Sequence, residues 1–411
     1  MKRERPINAE LPEREGAEPE EKVEPEPPEP AKARQPKPLT PKLLAALVLV
    51  AIAFIVAAVL GGTGGSDESG EGAAPAPSVS TLSSDADSGS TTELGYPAFA
   101  TNNTTRIGGS DPATIAAAAA LAVYPSTTPS QRPHAVTLVP EDGWQAAIAA
   151  AVLMAEPVRA PVLFSDSDVT TEALKALDPK AIKTIGGGPA ANQAAKIAEL
   201  RDRIFGSAPQ AVIVAPSAKP AIAMPAAAWA ARSGDPVLFA GVNDLPAATA
   251  RALHRHTKVP VYVLGPSSAI SSEVLREIGK IAKQVKRISG ESAVANAIAF
   301  ARYADGDFGW NVNDPGHGFV LARDDSPLDA AAAAALSGSG TWGPLLLTDS
   351  PTKLPAELRS YFLDVKPGYT DNPTRAFYNR VWIIGDEETI DVNQQAEVNE
   401  LAELAKIGGP E

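Results

Sequence analysis

From about residue 100 onward, short apolar runs alternate with Ala-rich stretches. Ala135-Val136-Thr137-Leu138-Val139, Ala211-Val212-Ile213-Val214-Ala215 and Gly318-Phe319-Val320-Leu321-Ala322 lack the every-second-residue polarity of a half-exposed strand, which predicts strands covered on both faces. An Ala-rich helical stretch follows each. A second strand then starts at a Pro or Gly: Pro161-Val162-Leu163-Phe164, Pro236-Val237-Leu238-Phe239 and Pro344-Leu345-Leu346-Leu347. After a shorter helix comes a third strand that runs into glycine, ending at Gly186-Gly187-Gly188, Gly265-Pro266 and Gly385-Asp386. Strands alternating with helices predict an α/β fold with parallel sheets and right-handed crossovers.

The same order of elements occurs three times. Each occurrence follows an R-I-x-G tetrapeptide: Arg106-Ile107-Gly108-Gly109, Arg203-Ile204-Phe205-Gly206 and Arg287-Ile288-Ser289-Gly290. The spacing from Arg106 to Pro161, Arg203 to Pro236 and Arg287 to Pro344 is 55, 33 and 57 residues. The short middle spacing predicts that unit two lacks one helix and its loop, the helix expected at Pro112–Val123 in unit one and Ser292–Tyr303 in unit three. Residues from about Leu363 to Asn379 read as an insertion in unit three. These boundaries give three Rossmann-like, parallel-sheet modules at 99–202, 203–286 and 287–411.

The first hundred residues follow different patterns. Residues 1–42 hold ten prolines, nine Lys/Arg and ten Asp/Glu, a composition that predicts a disordered cytoplasmic tail or a docking segment for a cytoplasmic partner. Leu43–Leu60 is an apolar run without a charge. With Gly61-Gly62 it approaches the thickness of a bilayer, predicting a transmembrane helix at 43–62 and contact with lipid. The leader is too long for a cleaved signal peptide. Lys32, Arg34, Lys37 and Lys42 precede the run, while Asp67, Glu68 and Glu71 follow it, so a single-pass type II membrane topology is expected, with the N-terminus in the cytoplasm and the large C-terminal part outside. Residues 63–98 read as a flexible Gly/Ser/acidic linker.

The chain of 411 residues carries a net charge of −13, and regional counts change what that total means. Residues 1–42 contribute −1 (9 − 10), residues 43–105 contribute −6, and residues 106–411 contribute −6 (27 − 33). The acidic balance argues against nucleic acid as a partner, yet the folded region is mildly charged and has its cations grouped. Arg251, His254, Arg255, His256 and Lys258 surround one helix end. Lys280, Lys283, Lys286 and Arg287 form a second run, read as a helix with Lys283 and Arg287 on one face. Backbone amides at Gly186 and Gly187, in a strand-to-helix turn, are candidates for holding an anionic oxygen.

Catalytic patterns are sparse. With no cysteine and four histidines, thiol chemistry and Cys-type zinc sites are excluded, and no cofactor or metal is expected. Gly338-Ser339-Gly340-Thr341-Trp342-Gly343 fits GxGxxG but follows a helix and precedes a strand, the reverse of a dinucleotide-binding turn. His317 lies in a turn before a strand. Asp324, Asp325 and Asp329 cluster after a strand end, where α/β ligands tend to lie.

The triplicated order, with R-x-x-G, a Pro-introduced apolar strand and a strand closing on glycine, resembles the cell wall-binding repeat 2 family over about Arg106 to Leu404. Ser326-Pro327-Leu328-Asp329-Ala330-Ala331-Ala332 is similar to the family's Asp-Ala-Leu-Ala-Ala helix, whereas Gln145 and about Ala221 stand at the Asp position in the other units. The resemblance implies a non-enzymatic surface protein whose three modules, grouped about a pseudo-threefold axis, bind an anionic secondary cell-wall polymer such as a teichoic-acid-like chain. The candidate ligand-binding residues are Arg106, Arg203, Arg287, Lys280, Lys283, Lys286, Gly186, Gly187 and Asp329. Two alternatives stay open at this point: a membrane-anchored scaffold whose degenerate repeats bind another envelope protein, and a Rossmann-like enzyme.

Overall fold

The structure, a computed structural model, describes residues 99–339 and 343–407. The tail, the apolar run at 43–62 and the whole 63–98 linker lie outside the described residues, as do 340–342 of the GxGxxG stretch. Among the described residues no helix is long and apolar enough to cross a membrane.

Strands β1 (Phe99–Ala100) and β2 (Thr104–Ile107) open the described chain, followed by helix α1 (Pro112–Val123). The first sheet is built from β3 (Val136–Val139), β4 (Val162–Phe164) and β5 (Ile182–Thr184), with α2 (Trp144–Ala150), α3 (Asp168–Leu177) and α4 (Ala190–Phe205) between and after them. The second comprises β6 (Val212–Pro216), β7 (Val237–Ala240), β8 (Pro260–Leu264) and β9 (Gln284–Ile288). Its helices are α5 (Pro220–Ala223), α6 (Pro225–Ser233), α7 (Ala247–His254) and α8 (Ser272–Gly279), and α9 (Ala293–Arg302) follows β9. The third contains β10 (Gly318–Arg323), α10 (Pro327–Gly338), β11 (Leu345–Thr348), α11 (Ala356–Asp364), β13 (Arg380–Ile384) and α12 (Val392–Ala402). The insertion before β13 forms β12 (Gly368–Tyr369), which pairs with β14 (Ala405–Lys406).

Strand order is β4-β3-β5 in the first sheet, β7-β6-β8-β9 in the second and β1-β2-β13-β10-β11 in the third. All pairings within these sheets are parallel except β1 with β2. Strands β4, β6, β7 and β11 are buried along their whole length, consistent with sheets covered on both sides. The Ala-rich helices meet between the sheets: α10 packs against α6, α1 and α2. Alanine at these positions lets backbones approach closely. Ala330 to Ala335 are each at most 2% exposed, and a Cβ on Gly338 would sit 2.6 Å from the Ala231 carbonyl oxygen.

Sheet membership revises the repeat pattern. The R-I-x-G strand closes a sheet rather than opening one. Arg287 lies in β9, which pairs with β8, and Arg106 lies in β2, which pairs with β13. The first long strand of the described chain therefore completes the last sheet. Arg203-Ile204-Phe205-Gly206 is not a counterpart of either, because it forms the end of α4, where Gly206 caps the helix at φ 66°. The element absent from the short spacing is also different from the one expected. Helix α4 packs on β7 and α7, as α1 packs on β4 and α3, and as α9 packs on β11 and α11. The bridging helix is present. What is missing after β5, among the described residues, is a short helix and a fourth strand.

The cation run 280–287 is corrected too. Lys280 caps α8 and Lys283 lies in the turn after it, but Gln284–Ile288 is strand, so Lys286 and Arg287 project to opposite faces. Pairing with β8 stabilises the extended form over the helix that the Lys spacing suggested.

Candidate functional site

The glycine turns after β5, β8 and β13 are equivalent in position and differ in surroundings. Gly265 and Gly385 adopt φ 95° and 102°, and an added Cβ would lie 2.6 Å from Ile222 Cγ2 or Thr389 Cγ2. Arg287 donates to the carbonyls of Gly265 (2.6 Å) and Ile270 (2.8 Å). Arg106 donates to those of Gly385 (2.8 Å) and Ile390 (2.6 Å), with further bonds to Asp386 O and Gln395 Oε1. Burial lowers the pKa of both guanidinium groups from the usual arginine value. Both arginines direct their donors into the fold, and Arg106 is 2% exposed. Strand β5 has no such arginine. There Gln193 Nε2 donates to the Gly186 carbonyl at 2.6 Å, and an added Cβ on Gly186 or Gly187 would meet nothing within 4 Å.

Two clefts flank α4. One, about 370 Å³, lies against β5 and is lined by Lys183, Gly186, Gly187, Lys196, Glu199 and Arg203 over an apolar floor of Ile185 and Ile197. The other, about 320 Å³, lies between α4 and α7 and is lined by Asn192, Lys196, Glu199, Arg251 and Arg255. Lys196 and Glu199 border both, so the clefts share one rim in which cations outnumber the single carboxylate. Lys183, Lys196, Arg203, Arg251 and Arg255 are exposed. Arg255 donates to the Ala195 carbonyl at 3.1 Å, which fixes it beside α4. Among the described residues, none of the five has a carboxylate within ion-pair distance. His256 is buried and bonds Asp202 at 2.9 Å, so it supports this region from beneath.

The remaining predicted residues lie elsewhere. Lys280 and Lys283 are exposed on the α8–β9 turn. Lys286 is committed to Asp305, which also accepts from Tyr262; the Lys286 hydrogen bond, then that of Tyr262, holds the Asp305 carboxyl below its usual range. Asp329, in the first turn of α10, is 8% exposed with Oδ1 unpartnered among the described residues, and burial pushes its pKa up to about 7. It is not on an open surface.

A larger cleft, about 760 Å³, opens near the starts of β6 and β8 and is walled by Trp229, Phe308 and Trp310. Tyr262 and Phe308 stack at 3.5 Å, and Trp229 meets Trp310 edge-on at 5.3 Å. Asp235 at its base accepts from the amides of Gln210 and Ala211 and from Trp229 Nε1. His317, on its rim, bonds Asp314 at 3.0 Å. Among the described residues no group of three or more acids and histidines could hold a metal ion.

What the sequence reading missed is Lys196, because Arg251 and Arg255 are brought to it by the α4–α7 packing, and Lys183 by the turn that folds α4 back on β5. It stands alone among the apolar and uncharged residues that follow the Gly186–Gly188 turn, and no local run or spacing marks it.

Residues 185–275, which span the glycine turn, α4 and the lining of both clefts except Lys183 and Thr184, match the family described as Cell wall binding domain 2 (CWB2). The resemblance to the cell wall-binding repeat 2 family is borne out over that segment. Among solved structures, Cwp6 from Clostridium difficile is similar in fold, with a TM-score of 0.59 and 19% identity over 73% of this chain and 48% of that one. Cwp8 from Clostridium difficile has a TM-score of 0.53 and 19% identity over 73% of this chain and 52% of that one. The chain thus spans about half the length of each. No curated protein matches it.

Proposed function

We propose that this chain is a non-catalytic, cell-wall-associated binding protein whose folded region holds an anionic wall polymer noncovalently. The observation that carries the proposal is the mostly cationic rim shared by the two clefts along α4, which apart from Lys183 lies inside the segment that matches the cell wall binding domain. Five exposed cations within one neighbourhood attract a chain of repeating negative charges additively, and no single deep pocket is needed. Lys280 and Lys283 extend the cationic surface of the second sheet's segment. The names of the solved relatives and the family description support a wall location.

Three similar strand orders and the closure of the last sheet by β2 support a pseudo-threefold grouping of the modules. The uncharged run Leu43–Leu60, flanked by cations on its N-terminal side, supports a type II membrane anchor beneath the wall.

The test is retention of the full chain on purified cell walls before and after extraction of their anionic polymers. The proposal predicts retention that falls on extraction. Equal retention on extracted walls would count against an anionic ligand.

A further inference from the structure

The first sheet stops one strand short of its siblings, and its open edge is a built position. Ile185 N donates to Leu138 O, and Val136 N donates to Ala181 O, so odd-numbered residues of β5 serve the β3 ladder. Alternation turns the amides of Ile182, Thr184 and Gly186 toward the other edge. At the equivalent edges, Gly265 N donates to Ile288 O at 2.8 Å and Gly385 N donates to Ile107 O at 2.9 Å. Among the described residues no strand pairs with that edge of β5.

Burial gives the same result. Four residues before the glycine, Val261 and Val381 are 1% and 2% exposed, whereas Ile182 is 52% exposed. Two residues before it, Val263 and Ile383 are fully buried, whereas Thr184 is exposed. In the other sheets a short helix packs over the fourth strand, α8 on β9 and α12 on β2. Edge strands are normally guarded. Strand β2 is covered by β1, and β9 carries Gln284, Lys286 and Arg287. Strand β5 carries Lys183 alone.

We propose that the β5 edge is a docking site for an extended, acidic segment of a partner protein, which adds in parallel as the missing fourth strand. The occupied sheets supply the template: a strand ending in a β-branched residue that is buried at the glycine turn, as Ile107 and Ile288 are. The charge differs from the template. The turn carbonyl that Arg106 or Arg287 would satisfy is already taken by Gln193, and the slot is rimmed by Lys183, Lys196 and Arg203 against the single acid Glu199. A carboxylate therefore fits where the internal strands carry Arg. This inference goes beyond polymer binding and does not rest on it.

The probe is a labelled heptapeptide copied from residues 284–290 with Lys286→Glu and Arg287→Glu, titrated against the full chain by fluorescence anisotropy and amide hydrogen exchange. The expected result is saturable binding that slows exchange at Thr184 and Gly186. Thr184→Pro removes an amide on the open edge and leaves the β3 ladder intact, so the fold tolerates it. It is expected to weaken binding at least about tenfold, as is a peptide with Pro at the position copied from Lys286, whose amide faces β8 in the template pairing. Lys183→Glu provides a second variant that keeps the backbone and weakens binding through charge. No binding would overturn the proposal. So would equal binding by Thr184→Pro, which would reduce the contact to charge alone. Wall-polymer fragments that protect the Thr184 and Gly186 amides in the peptide's place would overturn it by giving the edge to polymer.

Discussion

Arg106 Nη1 donates to the carbonyl of Gly385 at 2.8 Å, joining positions 279 apart in sequence. The same bond recurs between Arg287 and Gly265 at 2.6 Å. The arginine of R-I-x-G thus locks the glycine turn of the neighbouring strand, and in the first case it fastens the beginning of the described chain to its end. Replacing Arg106 with Ala strands several buried carbonyls and is expected to cost about 3 to 4 kcal/mol. Arg203→Ala, at an exposed position in the last turn of α4, is expected to cost about 0.5 kcal/mol or less. Chemical denaturation of the two variants checks the contrast.

Gly338 ends α10 against α6. Ala has the higher helix propensity by up to about 1 kcal/mol, so Gly338→Ala would stabilise an isolated helix. In this packing the new Cβ would lie 2.6 Å from the Ala231 carbonyl oxygen, which is backbone and cannot swing aside. The variant is expected to lower stability by about 1 to 3 kcal/mol, read as a fall in the unfolding midpoint.

Asp329 makes stability depend on pH in a specific direction. Burial raises its folded pKa to about 7 from a reference of 3.8, so the folded state holds the proton more tightly than the unfolded chain. Its contribution is fully present below pH 3.8 and is lost as pH rises through about 7. That interval corresponds to at most about 4 kcal/mol. Asp329→Asn is expected to match the parent protein near pH 4 and exceed it in stability at pH 8. A parallel pH dependence in the two proteins would reject the assignment.

The alternation of apolar strands and Ala-rich helices was legible because strands buried on both faces leave runs such as Val212-Ile213-Val214 that no surface strand could carry. The bridging helices at Pro112–Val123 and Ala293–Arg302 were legible from the same pattern. Sheet membership was not, since Thr104–Ile107 pairs with a strand nearly 280 residues away and nothing local records that partner. Arg203 shows the complementary limit: four residues matched the motif, while sixteen residues of helical context decided its conformation. Among the cations, Lys283 and Arg287 had helical spacing, but pairing to β8 overrode it. The cationic rim around Lys196 depends on α4 lying against α7, a tertiary contact.

The rim of α4 is tested most directly by a charge variant on walls. In Lys196→Gln combined with Arg251→Gln and Arg255→Gln, three exposed cations are removed without touching the buried core. The full chain and the variant are sedimented with purified cell walls at low salt and at about 1 M salt, where charge attraction is screened within about 3 Å. The account predicts that the parent chain is retained at low salt and released at high salt, and that the variant loses at least about tenfold in retention, equivalent to about 1.4 kcal/mol. Equal retention of parent and variant at low salt would contradict it.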